Sequence, residues 1–490
     1  MRPGYDMGNS IEQQLSERKW INKEGLNVSS DSRYYDVIVV GAGFSGLLSA
    51  LALSKEGKNV LIIEKENCIG GVCRSYNVDG YTVDTGPHII TRMDSGPLKF
   101  LMDKYFDVIP NFVSLGEYRV RIQNMVKSFP WSVKEWMLFD LLPVEDRGLL
   151  MKTVFDVLYG IGVGKDLSKV SIGDLIPKGV SLETSSFVDY LSYFMLGTDP
   201  NNAPISRFLD RKDYKQEKRG EETSQALSYV GRLYNLLIEG KPTDQVYPLG
   251  GIQNIITSII FSFPKKVTIH LEEKLVAVNV KKCRRNGQVR SMVQGIMTDK
   301  GEYSCGILIY SGYSMELPEL VKRELPEDYV RNLSSIKRVD SLSIWLGLEK
   351  QVLDKQGTEM WVATEDEHLH TWLIPTSNYD SYLAPKNRHL LGFAFVKPDN
   401  LSPQGMKKRA RDTIFSAMPE IEKYVDMMHI QELVPEKACW SMNSGFGDVM
   451  TPISNLLCVG SDAEKRSMGL TRSSYSVIRM MKSLGYISSY

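Results

Sequence analysis

Excess charge of either sign is the first thing this 490-residue sequence lacks, because 59 Lys and Arg balance 59 Asp and Glu. A neutral chain has no general attraction for nucleic acid or anionic lipid, so neither is expected as an electrostatic partner. Cysteine is scarce: Cys68, Cys73, Cys283, Cys305, Cys439 and Cys458 are the full set, with no CxxC spacing. That usage suits a reduced, cytoplasmic compartment, and Cys68 and Cys73 read as two loop thiols, not a redox pair. The six histidines are scattered, and the close pair His368 and His370 has no companion ligand spacing, so no metal site is expected. Long apolar runs are missing too, and without a stretch of about 18 apolar residues nothing is expected to span a bilayer. Met1 to Arg33 is polar and lacks the apolar core of a secretory signal, so it reads as a loosely ordered leader. What is present, 42% apolar and 24% charged residues, is an ordinary globular composition in a chain long enough for two domains.

The most informative stretch runs from Asp36 to Glu64, DVIVVGAGFSGLLSALALSKEGKNVLIIE. An apolar strand leads into Gly41-x-Gly43-x-x-Gly46, then a helix carrying Phe44 and Ser45, then a second strand ending in Glu64 and Lys65. Gly41 permits the tight turn, Gly43 allows a pyrophosphate to approach the backbone, and Gly46 lets the helix pack on the strand. The helix N-terminus supplies free N–H groups and a positive dipole end. Glu64 stands where a carboxylate can accept from ribose hydroxyls. A second glycine-rich run, Gly160 to Gly164, follows a helical pattern instead of a strand and is not a second nucleotide loop. One nucleotide loop is therefore expected in the chain.

Downstream of Glu64 come Ile69-Gly70-Gly71-Val72-Cys73-Arg74-Ser75 and then Val83-Asp84-Thr85-Gly86-Pro87-His88. Here the chain resembles the flavin-dependent amine oxidase superfamily, which includes phytoene desaturases, protoporphyrinogen oxidases, monoamine oxidases and, more remotely, UDP-galactopyranose mutases. The resemblance extends to Tyr247-Pro248-Leu249-Gly250-Gly251, to Glu272–Val278 with Leu275 at the adenine, and to the strand ending in Gly460-Ser461-Asp462. It continues through Met468-Gly469-Leu470 before a last helix, whose N-terminus would stabilise negative charge on a reduced flavin. It implies a non-covalent FAD, and with no second nucleotide loop to seat a nicotinamide reductant, electrons would pass from the flavin to oxygen, a quinone or another carrier. By resemblance, Gly71 and Arg74 would wrap the pyrophosphate, Gly86, Pro87 and His88 would pass near the isoalloxazine, and Asp462 would accept from the ribityl chain. Lys465, Arg466 and Arg472 crowd the last loop where the family often has small residues.

The expected fold class is α/β, a Rossmann-like FAD-binding domain of GR2 type with an inserted α+β substrate domain. Residues 34–116, 245–311 and 440–490 are assigned to the FAD domain, 1–33 to the leader, 117–244 to a helical substrate cap and 312–439 to an antiparallel sheet flooring the pocket. His88 is the catalytic candidate, since an imidazole there could donate to flavin or substrate; a loop-stabilising histidine is the alternative. Trp440 and Phe446 are assigned to the substrate pocket by analogy. The helical runs 131–142 and 149–163 read first as core faces of the cap, with an interfacial docking face, and hence peripheral membrane contact, as the other reading. The implied function is dehydrogenation of a hydrophobic or amphipathic small molecule by hydride transfer to flavin N5. A redox-neutral, mutase-like flavoenzyme acting on a sugar nucleotide and a non-catalytic flavin scaffold are the alternatives. Oligomeric state is not legible.

Overall fold

Strand β1 (Tyr34–Val40) is buried along its last four residues and runs directly into the glycine turn. In the computed structural model, which describes residues 34–488 except 87, 164, 168, 206–243, 286–287, 323 and 399–400, β1 lies at the centre of the first of two large sheets. Elements are numbered here in chain order. Parallel to β1 on one side run β2 (Val60–Ile63) and β9 (Val267–His270), and on the other β12 (Glu302–Tyr310) and β18 (Leu456–Cys458). The antiparallel strands β10 (Leu275–Arg285) and β11 (Gln288–Thr298) extend the β12 side. The chain winds outward from β1 in both directions, so the β1/β12 boundary is a topological switch point. In open α/β sheets ligands bind outside the carboxyl ends of the strands there.

Helix α1 (Phe44–Lys55) is apolar all round and buried from Phe44 to Ser54, as expected of a helix covered on every side. It packs against α2 (Pro97–Tyr105), α6 (Gln253–Phe261) and α8 (Gly469–Ser483). The sequence reading of an α/β Rossmann unit therefore holds for the first sheet.

The second sheet has the order β17 (Val425–Glu436), β13 (Val339–Leu348), β16 (His389–Val396), β15 (Thr371–Ile374), β14 (Gly357–Val362), β6 (Glu117–Ile122) and β7 (Met125–Ser128). Its pairings are antiparallel except β14 with β6. Residues 117–128, which the sequence grouped with the helical cap, thus complete this sheet's edge. The sheet is apolar on both faces. Trp345, Met360, Trp372 and Leu390 face the cap side, whereas Ile344, Trp361, Leu373 and Phe393 face α7 (Pro403–Ala417). This alternation follows from the two-residue period of a strand.

The cap is built from α3 (Val133–Met137), α4 (Val144–Gly162) and α5 (Leu182–Leu196). A capping box between Ser132 and Glu135 starts α3, and Gly197 in the left-handed region ends α5. Gly160 and Gly162 lie inside α4, consistent with rejecting them as a nucleotide loop. Two short ribbons, β3 (Ser75–Val78) with β4 (Tyr81–Asp84) and β5 (Phe112–Ser114) with β8 (Val246–Pro248), link the layers. Among the described residues no helix is long and apolar enough to cross a membrane.

Candidate functional site

The glycine turn is held from both sides. Gly41 N–H donates to Ile63 O at 2.8 Å, and with φ near +98° Gly41 takes a conformation that L side chains avoid. Gly43 caps α1 without any side-chain hydrogen bond, and the first turn of α1 has no acid, so the helix's leading N–H groups stay open toward solvent space. A Cβ on Gly43 would meet nothing within 4 Å, whereas one on Gly46 would lie 2.0 Å from Gly41 O. Gly46 is therefore structural, sealing helix to turn, and Gly43 faces the open side.

One large cavity, about 2340 Å³, begins at this turn. Typical small-molecule sites hold about 300–1,000 Å³, so this one has room for a dinucleotide and a second molecule together. Of the residues singled out in the sequence, Gly41, Gly43, Phe44, Ser45, Glu64, Lys65, Gly71, Gly86, His88, Leu275, Gly469 and Leu470 line it. Glu64 is nearly buried, its Oε2 accepting from Ala42 N–H at 2.6 Å and its Oε1 from Glu66 N–H at 3.0 Å. The carboxylate is thereby fixed at the rim. Glu273, whose side chain is held by His270 and Thr298, closes the same end; burial works against its charge, but these donors keep its carboxyl below the usual range.

Other expected residues stand behind the wall. Arg74 does not line the cavity, because its Nε donates to Gly71 O (3.0 Å) and its Nη1 to Cys68 Sγ (2.6 Å), folding the Gly70-Gly71 loop back on the turn. Gly460 and Asp462 are also set back. Gly460 N–H donates to Ser476 Oγ, and Asp462 Oδ2 accepts from Ser314 N–H at 2.6 Å, leaving Ser461 as the member of that element facing the cavity. Trp440 and Phe446 do not line it either. Phe446 is buried under the cations of Lys465 and Arg472, with Trp440 edge-on at 6.4 Å, so their apolar area is spent in core packing. Pro87 lies outside the described residues.

Behind the Thr85-Gly86 wall of the cavity stands Asp84, which is fully buried. Its carboxylate accepts from Ser75 Oγ (2.6 Å), Tyr247 Oη (2.8 Å) and Ile252 N–H (3.0 Å). Burial pushes its pKa upward, against His88 and these three donors. Gln431 bridges to the second sheet, donating through Nε2 to Asp84 O and accepting through Oε1 from Gly86 N–H. Gly86, with positive φ and Leu433 2.8 Å from where a Cβ would stand, is pinned between the layers. His88 Nε2 faces two carbonyls, Thr85 O at 3.0 Å and Val72 O at 3.3 Å, which assigns the proton to that nitrogen. Burial lowers its pKa, Asp84 opposing, so the ring is neutral. Sequence reasoning missed Gln431 and the hydroxyl of Tyr247. Tyr247 had a signal, its place beside the Pro-Leu-Gly-Gly turn; Gln431 sits in a strand whose polar positions look like any solvent face.

Beyond this point the walls are apolar: Trp136, Val157, Leu158, Phe187, Phe194 and Trp372 continue the cavity between cap and second sheet. The cavity thus joins the glycine turn and the carboxylate of Glu64 to an apolar chamber.

Comparisons with known proteins bear on the fold. A model of the NAD(P)-binding Rossmann-like domain matches residues 39–105. An uncharacterized protein from the nifH2 3′ region of Methanothermococcus thermolithotrophicus is 54% identical over 101 residues, 21% of this chain and 97% of that one. All-trans-retinol 13,14-reductase of Danio rerio is 32% identical over 420 residues, covering 77% of this chain and 63% of the reductase. The chain therefore spans less than two thirds of that relative. An oxidoreductase structure from Methanosarcina mazei superimposes with a TM-score of 0.70 at 17% identity, over 91% of this chain and 99% of that one. A reduced UDP-galactopyranose mutase (TM-score 0.63, 15% identity, 92% and 94% covered) shares the fold. So does a putrescine oxidase triple mutant with redesigned cofactor binding (0.62, 17%, 92% and 98%). The fold and the glycine cradle are those of a dinucleotide-binding Rossmann-like protein. Among the proteins the chain is similar to are some named all-trans-retinol 13,14-reductase and hydroxyneurosporene desaturase, the latter 39% identical over 74 residues.

Proposed function

We propose that this protein binds FAD non-covalently and exchanges a hydride with a lipophilic or amphipathic organic substrate held in the apolar chamber. The observation that carries the reading is continuity: one cavity joins the Gly43 turn, Glu64 and the Gly86 loop to the walls of the cap. Fit to FAD rests on the open N-terminus of α1, the empty space at the Gly43 Cβ position and the fixed carboxylate of Glu64. When bound, the flavin supplies a hydride acceptor or donor at N5. The protein's part is positional. The α1 N–H groups hold the diphosphate, Glu64 accepts from ribose, and Gln431 fixes the Gly86 backbone between the two sheets. Neutral His88, its Nε2 proton committed to backbone carbonyls, stiffens the loop and moves no proton at pH 7. The cap and second sheet exclude water, which suits hydride transfer without acid–base help. Entry from a lipid surface is supported by α4, where Phe155 and Tyr159 are exposed while Val157 and Leu158 line the chamber.

The test is reconstitution with FAD, an absorption spectrum, and anaerobic titration with retinoid and carotenoid polyenes, followed by reoxidation with oxygen or a quinone. Flavin bands that bleach or recover on polyene addition are the expected result. A protein that takes up no FAD, or a bound flavin indifferent to every polyene in both redox states, would overturn the reading; turnover of a sugar nucleotide only after reduction would replace it with mutase chemistry.

A further inference from the structure

Helix α8 starts without a cap of its own. Its N-cap residue, Met468, makes no side-chain hydrogen bond, and its first turn contains no acid. The cap arrives from the last residue of β17: Glu436 Oε1 accepts from Gly469 N–H, and Oε2 pairs with Arg472 Nη1 at 3.1 Å. Arg472 is buried, and its remaining bonds go to the carbonyls of Ser467 (2.9 Å), Ala438 (3.0 Å) and Ser461 (3.4 Å). Glu436, Gly469 and Arg472 all line the cavity.

The position of this cluster follows from the sheet order. Lys437, next to Glu436, donates to Ser311 O and Gly312 O (2.8 Å) just past β12, and Ser311 is the residue a Cβ on Gly41 would touch. Across the carboxyl edge the order is therefore Glu64 after β2, Gly41 after β1, then Lys437 and Glu436 over β12. A dinucleotide with its adenosine on Glu64 and its diphosphate at Gly43 carries its redox-active half toward Glu436.

We propose that Glu436 sets how tightly the bound flavin holds electrons; the proposal rests on the FAD reading above. Uptake of two electrons and one proton leaves the flavin with one negative charge. The N-terminus of α8 and Arg472 favour that charge. A carboxylate seated on the same N–H and the same guanidinium opposes it, so Glu436 holds the potential down and makes the reduced cofactor the better hydride donor.

The experiment is a dye-equilibrated redox titration of the FAD-loaded protein and of its Glu436→Gln and Glu436→Asp variants. A unit charge at close range and intermediate dielectric shifts such an equilibrium about tenfold, which for a two-electron couple is ~30 mV. Glu436→Gln is expected to move the balance toward the reduced form by that factor, with Glu436→Asp, which keeps the charge, within about twofold of wild type. Equal shifts in both variants, or none in Glu436→Gln, overturn the proposal; a purely capping role would lower the melting temperature of both and leave the potential alone. If Glu436→Gln does not retain flavin, Glu436→Ala takes its place: a tenfold shift toward the reduced form there supports the proposal and a potential within about twofold of wild type overturns it. Wild-type protein that binds no FAD removes the parent reading, whereas bound flavin that ignores Glu436 removes only this one.

Discussion

Gly43→Val separates folding from cofactor retention. Gly43 sits at φ −73° and ψ 175°, extended backbone that valine adopts without strain, and no atom lies within 4 Å of its Cβ position. The substitution therefore costs the empty fold little, within about 0.5 kcal/mol. The new side chain projects over the open N–H groups of α1, where diphosphate oxygens must come. Losing two charge-assisted hydrogen bonds at about 1.5–3 kcal/mol each removes ~3–6 kcal/mol, a factor of about 10² to 10⁴ in Kd. Gly46→Ala is the control with the opposite signature, because its Cβ would lie 2.0 Å from Gly41 O and helix and turn must separate; it is expected to cost stability outright, about 3 kcal/mol. Thermal unfolding of apo protein and flavin-fluorescence titration read the two quantities independently. Wild-type FAD affinity in Gly43→Val would refute the placement of the diphosphate, and a collapsed apo melting temperature would refute the reasoning about open space.

Glu64→Ala should weaken FAD binding by about 1–3 kcal/mol and lower apo stability by a similar amount, since the buried Ala42 N–H loses its acceptor; an unchanged Kd by titration would remove Glu64 from the site. His389 is buried with Nε2 on Asn378 Oδ1, and burial lowers its pKa to about 4. An unfolded histidine titrates near 6.5, so between roughly 6.5 and 4 only the unfolded chain takes the proton; stability is complete above this window and falls by about 3 kcal/mol as pH drops through it. Urea melts at pH 7.5 and 4.5 should show this loss in wild type and not in His389→Gln. Burial pushes the thiols of Cys73 and Cys305 up to about 12, and that of Cys458 higher still. Iodoacetamide at pH 8 should therefore label the partly exposed Cys68 and Cys283 and spare these three, as read by peptide mass spectrometry.

The Rossmann unit was legible because its signal is local: two apolar strands, three glycines at fixed spacing and a terminal acid lie within thirty residues, each forced by backbone sterics. The wall residues were only partly legible, since a motif names a segment but not which of its side chains turns inward. Asp462 and Arg74 occur where the resemblance puts them, yet neither lines the cavity: Arg74 is folded onto Gly71 and Cys68, Asp462 holds Ser314 through Oδ2 alone, and Ser461 between Gly460 and Asp462 takes the cavity side. Trp440 and Phe446 misled for a related reason, as an aromatic near a site packs in a core as readily as in a pocket. Gln431 and Glu436 left no trace in the sequence because their roles arise from contacts across the fold.

Gln431 meets Asp84 across 347 positions of chain, and β12, the neighbour of β1, is separated from it by the cap helices α3 to α5 and by the ten strands β2 to β11. A ribosome releasing this chain from the N-terminus delivers β1, α1 and β2 early and their remaining partners very late. Until then β1 has a bare edge, apolar and competent to pair with another nascent chain. Such non-local wiring predicts slow maturation and dependence on chaperones, and it means that no N-terminal fragment, however faithful to the glycine motif, should be expected to hold the cofactor by itself.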